Sequence, residues 1–190
     1  GKKGNEGKAG KACVPISLLS LVSFFSLPLR ISTKGRLMLD HSYVGKKLPL
    51  IRYEVDASKI RELAGALGDD NPLFNDREAA QAAGYPNIVA PLTFPTLFRF
   101  WGGTPAGAET RSLLGEMGAD LLRVLHGEEE YEYFGTLHPG DDITGELEIV
   151  SIDRKEGSSG PMDMVKTRAT YRDQHGAVKV IARATMVVRW

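Results

Sequence analysis

The densest group of chemically capable side chains is Gly68-Asp69-Asp70-Asn71-Pro72-Leu73-Phe74-Asn75-Asp76. Three carboxylates and two amides sit beside a proline that stiffens the backbone. A carboxylate does general acid–base work when a second group relays the proton, and an amide can orient water or substrate. The same residue types also close Asx-type turns on their own backbone. Both readings stand at this point. The four histidines offer few alternatives. His126 opens an alternating run next to Gly127, where it either faces a site or makes strand-end hydrogen bonds. His138 and His175 lie in turn sequences and are expected in solvent, and His41 lies in a lead-in. Glu128–Glu130 read as a solvated face and not as a metal site. The single cysteine, Cys13, lies upstream of the patterned sequence. Residues 38–190 therefore have no disulfide, no thiolate nucleophile and no cysteine-based zinc site. Nothing in the pattern calls for a metal or a cofactor.

The chain has 190 residues, 42% hydrophobic and 25% charged, enough apolar content for one core. The formal net charge of zero hides a split. Residues 1–37 carry seven Lys/Arg and one acid, and residues 38–190 carry 17 Lys/Arg and 23 acids. An acidic body is a poor nucleic-acid ligand, because phosphate binding needs a basic field. Residues 1–37 read as a leader outside the folded domain. Ala12 to Leu29 has no charge and just reaches the lower limit for a bilayer span, but Pro15, Pro28 and four serines weaken a membrane helix. An over-extended start upstream of Met38, a targeting segment and a membrane anchor are the three readings. The cysteine-free body points to a cytoplasmic protein, or to an organelle matrix if the leader is a transit peptide.

Residues 38–190 show the elements that must position the carboxylates. Ser42 to Asp56 is a lead-in with a short strand. Ile60, Leu63, Ala64 and Leu67 follow at helical spacing, with Asp56 or Ser58 as cap and Gly68 as stop. Asp69 to Pro72 cannot continue that helix. Asp76 caps a short helix from Arg77 to Ala83, closed by Gly84. A further helix starting near Thr93 carries Phe94, Phe98, Phe100 and Trp101 and is apolar nearly all round, so it must be buried. Those rings are mainly core, although one of them could line a ligand cavity. Residues 103–118 are small and polar and are expected to form a loop. From Ala119 the period changes to two. Turn signals at His138–Asp141, Gly157–Gly160 and Asp173–Gly176 separate four long alternating runs. The expected fold is α+β, a single antiparallel sheet wrapped around a long buried helix. Such a sheet has open edges, so pairing with a second copy or a homologue is expected.

Gly68-Asp69-Asp70-Asn71-Pro72-Leu73 resembles the signature of the MaoC-like family of (R)-specific enoyl-thioester hydratases, which have the hot-dog fold. Three further stretches resemble the branch similar to the N-terminal half of MaoC dehydratases, also called fatty-acid-synthase-type dehydratase-like. They are Ile88 to Phe94, Leu125-His126-Gly127-Glu128 running into Tyr131-Glu132-Tyr133, and His138-Pro139-Gly140-Asp141. The resemblance covers roughly residues 40–190. It implies reversible syn addition of water to 2-enoyl thioesters of CoA or acyl carrier protein. It places Asp69 at the family's catalytic aspartate and Asn71 at its positioning asparagine. Pro72, Leu73, Phe74, Ala90, Leu92, Thr93 and Phe94 then line the substrate.

Two positions depart from the family pattern. Phe74 stands where the family has its catalytic histidine, and phenyl carries no proton. Pro91 stands where active members have the glycine whose N–H feeds the oxyanion hole, and proline has none. The resemblance therefore implies a subunit with an incomplete catalytic set, paired as a heterodimer with a second hot-dog chain that supplies both groups. Two rivals remain open. One is a self-sufficient homodimeric hydratase with His126 as stand-in. The other is a non-catalytic acyl-thioester binding protein.

Overall fold

The computed structural model describes residues 38–48, 51–100, 113–158 and 160–190. The expectations for residues 1–37, for Trp101, for residues 102–112 and for the Phe100 side chain fall outside that part.

Five strands form one antiparallel sheet: β1 (Ile51–Glu54), β2 (Val124–Tyr133), β3 (Asp142–Gly157), β4 (Gly160–Arg172) and β5 (Val178–Arg189). Their order across the sheet is β1-β3-β4-β5-β2. The period-two runs become these strands because each buries one face. In β3, Ile143, Leu147, Ile149 and Ile152 are buried. In β4, Val165, Ala169 and Tyr171 face the same side, as do Val180, Ala182, Ala184 and Val188 in β5. Three bulges or irregularities adjust the register, between Ile149 and Ser151, between His126 and Glu128 and between Tyr171 and Arg172. Gly127 lies in the second bulge. A Cβ there would come within 2.9 Å of the Thr185 carbonyl, so only glycine fits.

The helices cover the buried face. α1 (Ala57–Leu67) is capped by Asp56, whose side chain accepts from the Ser58 N–H. It ends at Gly68, which takes the left-handed conformation at φ 67°. α2 (Arg77–Ala82) is capped by Asp76. α3 begins at Thr96, three residues later than its apolar pattern suggests, and is described as far as Phe100. Residues 91–95 form tight turns first, with the Phe94 N–H donating to the Pro91 carbonyl at 2.8 Å. Phe94 and Phe98 are fully buried, and Phe98 packs against Tyr53 and Tyr171 at centroid distances of 4.8 and 4.9 Å.

Residues 103–118 are not all loop. Residues 113–116 make a helical turn that buries Leu113, Leu114 and Met117 in a second apolar cluster with Ile152, Val165 and Val188. Three large apolar side chains at helical spacing outweigh the surrounding glycines and polar residues. Among the described residues no helix is long and apolar enough to cross a membrane.

Candidate functional site

The Gly68–Asp76 segment is a chain of local caps. The Asp69 N–H donates to the Ala64 carbonyl, which closes α1. The Asp69 carboxylate accepts from the Asn71 N–H at 3.1 Å, and the Asn71 side-chain oxygen accepts from the Leu73 N–H at 3.1 Å. Pro72 starts a single 3-10 turn, Pro72–Phe74, which Asn71 caps. The Asx-turn reading is therefore correct as a description of the backbone. It leaves the chemistry open, because Asp69 and Asn71 are both exposed in the single chain.

Hydrogen bonds join this turn to the other stretches. The Val89 N–H donates to the Leu73 carbonyl at 3.0 Å, and the Ala90 N–H donates to the Leu137 carbonyl at 2.9 Å. His138 Nδ1 lies 2.9 Å from the Ile88 carbonyl, which accepts only, so Nδ1 carries the proton. Its Nε2 lies 2.7 Å from the Thr136 hydroxyl, and its backbone N–H donates to Asp141. β2 completes the assembly. The Tyr133 hydroxyl donates to the Leu92 carbonyl at 2.7 Å, and the Tyr131 hydroxyl bonds Thr96 Oγ1. Burial pushes the Tyr133 phenol up, so it stays a donor. Four stretches far apart in sequence thus meet at one end of the sheet.

Not every candidate belongs to that meeting point. Leu92, 71% exposed, and Thr93 face outward with Asp69, Asn71 and Pro72. Leu73 and Phe74 are half-buried, and Phe74 packs against the main core. Ala90 and Phe94, expected to line the substrate, are buried in the main core of the single chain. His126 sits opposite Met186 at the other end of β2, with Nε2 3.3 Å from a Glu129 carboxylate oxygen. The seven residues to Tyr133 span about 23 Å of strand. Among the described residues no hydrogen bond joins His126 to Asp69. Among the described residues, the Asp69 side chain bonds only the Asn71 N–H.

His138 is a correction of the opposite kind. It is not a solvated turn residue but a half-buried clamp on Ile88. The proline and glycine around it resemble any exposed turn, so only the distant Ile88 carbonyl shows its role. A cleft of about 670 Å³ lies elsewhere, on the outer sheet face, between residues such as Glu130, Glu148, Arg168 and Arg183. Its arginines are already paired, Arg168 with Glu148 and Arg183 with Glu130 and Glu132. Among the described residues no group of three His, Asp or Glu could hold a metal ion.

The assembled site can be set beside known proteins. A family model for the FAS1-like dehydratase domain region matches residues 42–182. A UPF0336 protein of Streptomyces avermitilis is 37% identical, over 80% of this chain and 95% of its own length. The structure resembles a MaoC-like dehydratase with a TM-score of 0.66 and 29% identity, over 78% of this chain and 42% of that one. It also resembles the Mycobacterium tuberculosis HadBC complex, a (3R)-hydroxyacyl-ACP dehydratase, with a TM-score of 0.62 and 24% identity, over 76% of this chain and 96% of that one. The second likeness shows the fold alone. The curled sheet, the convergence of the four stretches and the matched region agree, and the chain belongs to the FAS1-like dehydratase-region family, with the hot-dog fold of the MaoC-like dehydratases.

Proposed function

We propose that this chain is the substrate-binding half of a (3R)-hydroxyacyl-thioester dehydratase, working beside a second hot-dog subunit that carries the missing catalytic groups. The reaction is reversible hydration of a 2-enoyl thioester of CoA or acyl carrier protein. Water adds its oxygen at C3 and a proton at C2, through an enolate-like state on the thioester carbonyl. It needs a carboxylate–imidazole pair to move protons and an N–H to hold the oxyanion.

The observation that carries the reading is the turn at Asp69–Phe74. It presents an exposed carboxylate, and a phenyl ring packed against the core stands where an imidazole would serve it. The second deficit lies alongside. Pro91 has no N–H, and the N–H groups of Val89 and Ala90 are already used on Leu73 and Leu137. A missing oxyanion donor costs about a hundred- to thousandfold in rate. The structural resemblance to a two-component dehydratase complex supports a division of labour. The self-sufficient alternative is weaker, because it needs His126 beside Asp69 and His126 meets Glu129.

Crotonyl-CoA hydration tests the proposal, with this chain alone and with a co-expressed hot-dog chain that has an intact Gly-Asp-x-Asn-Pro-x-His. Turnover by the mixture and not by the chain alone is expected. Full activity of the chain by itself overturns the reading.

A further inference from the structure

The sheet ends on one side in β1, four residues long, and on the other in β2, ten residues long. Among the described residues no strand pairs with the outer edge of β2. An open edge of that length is a template for another strand. Its sequence is Val-Leu-His-Gly-Glu-Glu-Glu-Tyr-Glu-Tyr. Glu128, Glu130 and Glu132 lie on its exposed face, opposite Thr185, Arg183 and Ile181 of β5. Arg183 alone answers two of them, bonding Glu132 at 2.8 Å and Glu130 at 3.2 Å. The row keeps a net charge of about −2 when one guanidinium is set against three carboxylates.

Self-pairing of this edge is unfavourable in every central register. A two-fold axis normal to the sheet puts residue i opposite residue 2c − i and keeps outward side chains opposite outward ones. With the axis at position 129, Glu128 faces Glu130 twice. At position 130, Glu130 faces itself and Glu128 faces Glu132 twice. At position 131, Glu130 faces Glu132 twice. Like charges directly opposite across an antiparallel pair are destabilising. Exposed Leu125 and Phe134 flank the row at the two ends of the strand, so the edge also has apolar surface to cover.

We propose that β2 is a charge-coded edge that rejects a second copy of this chain and accepts a hot-dog partner whose edge strand presents Lys or Arg. This inference rests on the two-subunit reading above and supplies its selection rule. Glutamates at the edge raise the energy of the homodimer. The same glutamates stabilise a pair with a basic edge, so one set of side chains both excludes and selects.

The test needs no identified partner. Glu128→Lys, Glu130→Lys and Glu132→Lys combined turn this chain into its own complementary partner. At low salt, about 50 mM, the wild type should bind the charge-reversed chain at least about tenfold more tightly than it binds itself, measured by sedimentation equilibrium. High salt should narrow that gap by screening. The three Glu→Gln changes together should raise self-association about tenfold and remove its salt dependence. They also cover the case in which the charge-reversed chain fails to fold. Wild-type self-association as tight as the mixed pair, or unchanged by the glutamines, overturns the edge rule. Crotonyl-CoA turnover with the catalytic partner is read separately. Loss of pairing selectivity with turnover intact sinks the edge rule alone, and pairing without turnover in the native mixture sinks the hydratase reading alone.

Discussion

Asp69 and Asp163 have the same side chain and opposite circumstances. Asp69 is exposed at the end of α1 and bonds a neighbour two residues along, the Asn71 N–H. Asp163 is fully buried on β4 and holds together parts of the chain that are far apart. It accepts from the Leu39 N–H at 2.8 Å and from the Trp190 indole N–H at 2.9 Å, with Arg154 3.9 Å away. A buried carboxylate that draws in donors from both ends of the domain is a structural fastening. A carboxylate left in water on a local turn contributes little to stability and stays available for chemistry. The difference teaches that burial and the sequence distance of its partners, not residue type, separate a fastening from a candidate catalyst.

The sharpest way to break the comparison is to exchange the outcomes of the two aspartates. Asp69→Asn should cut hydration by the proposed two-subunit enzyme about 10²–10⁴-fold, while its unfolding free energy in urea changes by no more than about 0.5 kcal/mol. A parallel loss of stability would make Asp69 structural. Asp163→Ala leaves one buried and one half-buried donor without their acceptor and should cost about 2–4 kcal/mol in urea unfolding. An unchanged midpoint would mean that Leu39 and Trp190 find other partners.

His138 sharpens the contrast, since it fastens the site itself. His138→Ala removes the bonds to Ile88 and Thr136 and should cost about 1–2 kcal/mol. It should also raise KM more than it lowers kcat, because it holds the 88–94 segment and does not relay protons. A dominant loss of kcat would give it a catalytic role. The smallest effect is on acid stability. Arg52 hydrogen-bonds Asp142, and Ser58 hydrogen-bonds Asp56, each holding its carboxyl below the usual range. A folded pKa below the unfolded value stabilises above about pH 3.9 and loses that contribution as pH falls through the folded value. Thermal midpoints should therefore decline slightly below about pH 4, and Arg52→Ala should weaken that slope. An identical slope in the variant would show that the pair contributes nothing.

Much of the fold was legible in local patterns. Alternation in 142–157 and 178–189 predicted β3 and β5 because a strand with one buried face must repeat every second residue. Asp56, Gly68 and Asp76 marked their helix ends because caps answer backbone groups within a few residues. The turn at 113–117 was hidden by its glycines, and the start of α3 by the tight turns ahead of it. Asp163 left a weak signal, a charge at an inward position of an alternating strand. His138 lies in a stretch that resembles the family, but nothing in its local sequence ties it to the Ile88 carbonyl.

The order of the main strands and helices, an Asx turn as one of two readings at Asp69, and the absence of an imidazole at Phe74 and of an N–H at Pro91 were all legible in the sequence. These depend on residue type and short spacing, which a linear text carries in full. The folded chain alone decides that Phe94 and Ala90 turn inward, that His126 lies at the far end of β2 from Tyr133, and that His138 clamps Ile88. Those facts depend on register and on packing between segments many residues apart, where the burial of a whole face outweighs what any one residue prefers alone.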